Sequence, residues 1–166
     1  MGDYTTHTID TVARSIDGVI TRSVDADDPF ATDQIRMVSE HLRFLRERGG
    51  LAELRARHEL RIYIDMARGV DALASIDGGA ALIRRATEVM KDPFAGLPTL
   101  DRTAGMLREA LSAAARNGLD RAAERVIMDR SADLVALQRW FFGPMGWDPD
   151  IAEVDSPFAR GTTGGR

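Results

Sequence analysis

Two histidines raise the first chemical question. His41 and His58 stand equally far along the chain on either side of Gly49-Gly50. If the flanking helices fold into a tight hairpin there, each imidazole lies ~12 Å from the turn at ~1.5 Å per residue, so the two share one level. Gln34 and Asp65 form a second equidistant pair further out, Glu40 and Glu59 a third, and Glu59 adjoins His58. Imidazoles with carboxylates suit zinc, iron or manganese, and a histidine pair also suits proton transfer. The expected ligand-binding set is His41, His58, Asp65, Gln34 and Glu59, with His41 and His58 as the ligands of any divalent metal. The competing reading is structural: each imidazole hydrogen-bonds a neighbour such as Gln34 or Asp65 in a helical core. The chain lacks the Glu-x-x-His pairs of di-iron bundles and the His-Glu-x-x-His of zinc proteases.

A second constellation is aromatic. Trp140, Phe141, Phe142, Trp147 and Phe158 are half of the ten aromatic residues. Adjacent helical residues point ~100° apart, so one neighbour cannot bury Trp140, Phe141 and Phe142 together. Trp140, Phe141, Phe142 and Trp147 therefore read as a partner interface, since aromatics and arginine are enriched at interface centres. Alternatively, Trp147 and Phe158 fold back and cap the end of the fold. A third constellation is basic: Arg43, Arg46, Arg48, Arg55, Arg57 and Arg61 flank the double glycine. It offers an anion site, or simply cations near a helix C-terminus paired with Glu47, Glu53 and Glu59.

Other chemistries are absent. No Gly-x-Gly-x-x-Gly, Walker loop or Gly-x-Ser-x-Gly elbow occurs. Without cysteine there is no disulfide, thiolate metal site or cysteine nucleophile. The net charge of −4 argues against nucleic acid, whose binders normally show a basic face. No apolar run approaches the ~18 residues of a membrane span, and no secretory signal is visible. The 22 basic residues include a single lysine, Lys91, a bias that resembles a GC-rich bacterial genome. A cytoplasmic protein is expected.

The elements that must position these groups read as helices. Ile9, Val12, Ala13, Ile16, Val19 and Ile20 form a stripe over about 8–23. Asp28-Pro29 starts a second helix that stops at Gly49-Gly50. A third, over about 51–75, has so wide an apolar arc that it should be central. A fourth follows Gly78-Gly79, a fifth is capped by Thr99 and a sixth by Asp120 before Gly143-Pro144 ends it. No strand alternation is visible. The expectation is an all-α antiparallel bundle of five to six helices over residues 1–147, with an extended, partly disordered tail over 148–166. The functional expectation is a non-enzymatic accessory protein acting through protein–protein association, as a homodimer or with a protein partner. The alternative is the interhelical metal or small-ligand site built on His41 and His58.

Overall fold

The computed structural model describes residues 4–70, 73 and 78–145. These residues form an all-α structure with no strand among them. Helix α1 (Tyr4–Ser15) passes through a π turn (Ile16–Ile20) into the short α2 (Thr21–Ser23). Then follow α3 (Pro29–Arg48), a 3-10 turn (Gly49–Leu51), α4 (Ala52–Arg68), α5 (Gly79–Lys91), α6 (Leu97–Arg116), α7 (Arg121–Phe142) and a closing 3-10 turn (Gly143–Met145).

Local chemistry sets several of these ends. The Asp28 carboxylate accepts from the backbone N–H of Phe30 at 3.0 Å and of Ala31 at 3.1 Å, with Pro29 in the first turn. Such a cap contributes about 1 kcal/mol. Asp120 does the same for α7, accepting from the Ala123 N–H at 2.8 Å. Gly78 precedes α5 with φ of 78°, a left-handed conformation that favours glycine.

Three expectations are corrected. The first helix begins at Tyr4, and the π turn interrupts it because the Thr21 N–H and hydroxyl both end on the Ile16 carbonyl, the hydroxyl at 2.9 Å. The third helix stops at Arg68 rather than near Ser75. There the Gly69 N–H closes onto the carbonyls of Asp65 and Met66, while Val70 and Leu73 stay buried and so prolong the apolar spacing. The fifth helix begins at Leu97, with Pro98 in its first turn.

The contacts divide the described chain into two compact units, one of residues 4–50 with 139–145, the other of residues 51–70, 73 and 78–138. The tail expected over 148–166 lies outside the described residues.

In the first unit α1 packs on α3, and α3 meets the closing 3-10 turn. Arg43 donates to the Pro144 carbonyl at 3.3 Å, and Ser39 to Asp17 at 3.3 Å. Ile16, Trp140, Phe141 and Met145 are its buried apolar residues.

In the second unit α4, α5 and α6 pack pairwise. Leu60, Val70, Leu73, Leu100, Leu107 and Leu137 are fully buried, each side chain contributing about 1.5–3 kcal/mol. Arg57, on α4, donates to the carbonyls of Asp92 (2.9 Å), Pro93 (3.2 Å) and Ala95 (2.9 Å), holding the connection between α5 and α6.

At the end of α4 the backbone runs close to α7. A Cβ on Gly69 would lie 2.6 Å from Val126 Cγ1 and 3.1 Å from Cγ2, and a valine side chain in a helix has little rotameric freedom to retreat. Gly69→Ala should therefore destabilise the protein by about 1–3 kcal/mol. Denaturant melts of Gly69→Ala, Val126→Ala and the double variant check this. The double variant should lose less than the two single losses combined.

Candidate functional site

The groups singled out in the sequence are distributed over both units. In the first, Gln34 and His41 fall on the apolar half of α3, and a shared interhelical site would require both to face inward. Both are exposed. Within the first unit α3 is covered by α1, the π turn, the closing turn and the Phe141 and Phe142 rings, and Gln34 and His41 lie on the part left exposed. The His41 Nδ1 lies 2.8 Å from the Met37 carbonyl oxygen. A carbonyl can only accept, so this nitrogen carries the proton.

In the second unit His58, Glu59 and Asp65 are half-buried on α4. Glu59 is ion-paired with Arg55, and Gln138 donates to it at 3.5 Å. Asp65 lines an open polar cleft of about 500 Å³ with Asp129, Arg130 and Asp133. Arg130 already neutralises Asp133 at 3.0 Å. Among the described residues no three His, Asp or Glu side chains are grouped to hold a metal ion.

The aromatic cluster is spent differently from the expected docking surface. Trp140 and Phe141 are 8% and 5% exposed. Phe141 meets Phe44 edge-on at 5.5 Å, and Phe142 stacks on Phe44 at 5.7 Å. The Arg48 guanidinium sits 4.6 Å from the Trp140 ring centroid, a cation–π contact. Two of the three rings thus sit within the first unit, and only the rim of Phe142 is presented outward. Trp147 and Phe158 lie outside the described residues.

The arginines flanking the double glycine are also engaged. Arg46 reaches Asp10 and Glu47, each at 3.8 Å, and Arg57 pairs with Glu53 at 3.0 Å besides holding the α5–α6 connection. Arg55 adds Asp101 at 3.4 Å to its pair with Glu59.

Two surfaces remain open beyond these groups. The first is a stripe on α3 in which Phe30, Val38 and Leu45, at 74%, 45% and 46% exposure, enclose Gln34 and His41. Its spacing of four, four, three and four residues holds all five within ~80° of the helix circumference. The second is a cleft of about 220 Å³ among α4, α6 and α7, floored by Tyr63, Met66, Leu111, Ile127 and Leu134, with Arg108 lining it as well. No heptad or motif signals this cleft, because its walls come from three distant segments.

No known protein family, curated protein or solved structure matches this chain.

His58 is the histidine with a displaced equilibrium. Burial pushes its pKa below the ordinary value, Arg61 pushes the same way, and Asp133 opposes. The folded protein therefore takes up this proton less readily than the unfolded chain does. The neutral imidazole's contribution is complete above about pH 6.5 and is lost as the pH falls through that value toward the lower folded one. Melting temperatures between about pH 7.5 and 5.5 should fall more steeply for the wild type than for His58→Gln. Parallel curves would remove His58 from the acid response.

Proposed function

We propose that this is a helical accessory protein that works by association, and that its first partner is a second copy of itself, paired through α3. The observation that carries this reading is the exposed stripe of Phe30, Val38 and Leu45 on a helix with no fully buried residue. An amphipathic helix derives most of its stability from covering its apolar face, and here that face is only part covered.

The stripe is complementary to itself when two α3 helices run antiparallel. With the dyad midway between Met37 and Val38, such a pair sets Phe30 of one copy against Leu45 of the other, and leaves the two Val38 side chains ~1.5 Å from level, still adjacent across the seam. Gln34 then faces His41, a side-chain amide opposite an imidazole, so the two polar positions can satisfy each other. Each contact occurs twice about a dyad, as an isologous dimer requires. A polar pair inside an apolar seam fixes register at some cost in stability. His41 and Gln34, expected at a ligand site, serve this reading as the groups that align two copies.

The test is the mass in solution at micromolar concentration. Wild type should sediment as a dimer. Val38→Glu should sediment as a monomer with an unchanged helical spectrum, because it places two carboxylates against each other at the dyad. Like charges so placed cost several kcal/mol, about a hundredfold or more in dissociation constant. A monomeric wild type, or a Val38→Glu dimer as tight as wild type, would overturn the reading.

A further inference from the structure

We propose that the cleft among α4, α6 and α7 binds a small amphipathic monocarboxylate. Arg108 would hold the acid group, and the apolar body would lie over Tyr63, Met66, Leu111, Ile127 and Leu134. This site is separate from the α3 stripe and does not depend on it.

The walls select the body of the ligand. Six of the lining side chains, Ala115 included, present carbon to the space, with Tyr63, Met66 and Leu111 among the buried residues of α4 and α6. A ligand with polar groups along its length would leave them without hydrogen bonds there, at a cost of about 1–3 kcal/mol each. The volume, about 220 Å³, lies below the range of about 300–1,000 Å³ that takes drug-sized ligands. An acid with a chain of about eight carbons or one small ring fits this space.

Arg108 selects the head. In the same unit Arg55, Arg57 and Arg130 each hold a carboxylate. Arg108, like Arg61 and Arg102, pairs with no carboxylate among the described residues, and its hydrogen bond is to the Tyr63 phenol. Its side chain is exposed and lines the cleft beside the Tyr63 phenol. A guanidinium offers a planar fork that a carboxylate matches with two parallel hydrogen bonds. A single cation suits one negative charge, whereas a polyphosphate would need several.

The neighbouring hydroxyls complete the donor set. Burial pushes the Tyr63 phenol above its ordinary pKa, Glu59 adds to the rise and Arg108 opposes it. The phenol therefore remains protonated at neutral pH and can donate to an anion. Ser131, half-buried on α7, lines the same space, whereas the Ser112 hydroxyl is turned back onto the Arg108 carbonyl at 2.8 Å. Glu59, whose charge is felt at the phenol, is ion-paired with Arg55, which weakens its repulsion of the incoming head.

Isothermal titration of the full chain with octanoate and with octanol tests the proposal. Octanoate should bind saturably at one site per chain, and octanol, with the same body and no charge, at least about tenfold more weakly, as expected for loss of a charge-assisted hydrogen bond. Arg108→Gln, at an exposed position, should keep the wild-type melting temperature and lose octanoate affinity by a similar factor. Ile127→Trp, which fills the cleft, should abolish binding. Octanoate that does not saturate, octanol that binds as tightly as octanoate, or an Arg108→Gln variant that keeps the wild-type octanoate affinity would overturn the proposal.

Discussion

The second unit depends on the breadth of the apolar arc on α4. Ala56, Leu60, Ile62, Tyr63, Ile64, Met66 and Ala67 are all buried, and they point in too many directions for one neighbour to cover. A helix of this kind is stable only when surrounded. Its two ends are held by different means. Near the start, Arg57 grips the α5–α6 connection. At the finish, the absent side chain of Gly69 lets α7 come close. The cleft beside Tyr63 follows from the same breadth, because the helices around a wide arc do not close every gap along it.

The first unit obeys the opposite constraint. Neither α1 nor α3 carries a fully buried residue, and the buried rings come from the end of α7, with Arg48 lying over Trp140. The unit is secured at one end by aromatic packing and along its length by polar ties such as Arg46 to Asp10. That leaves apolar surface uncommitted, and in this surface the association reading has its physical basis.

Much of the helical plan was legible because its signals are local. Asp28-Pro29 and Asp120 mark starts through carboxylates that reach only two or three residues ahead. Leu100, Ala104, Leu107, Leu111 and Ala114 recur along α6 at three and four residues, a helical spacing, and all five are buried. The end of α4 was not legible, since Val70 and Leu73 remain buried after the helix has stopped. A π turn inserts one residue without disturbing composition, so the interruption at Ile16 left no trace in the apolar pattern. The histidine reading failed at orientation. A wheel divides a helix into halves but does not say which part of the apolar half a neighbour covers, and His41 fell on the uncovered part. Tyr63, Arg108 and Ser131 could not be associated at all, because their proximity arises only from packing.

The grip of Arg57 has an evolutionary side. The three oxygens it takes, on Asp92, Pro93 and Ala95, are backbone carbonyls, atoms that every amino acid possesses. The shape of this connection is thus set partly from outside, by one guanidinium, and partly from within, by the Asp92 carboxylate that accepts from the Phe94 N–H at 2.8 Å and by the buried Ala95. Phe94, at its apex and almost wholly in solvent, is released from structural duty. The side chain of Phe94 can therefore change without altering the course of the loop, whereas a change at Arg57 on another helix would release three of its carbonyls at once.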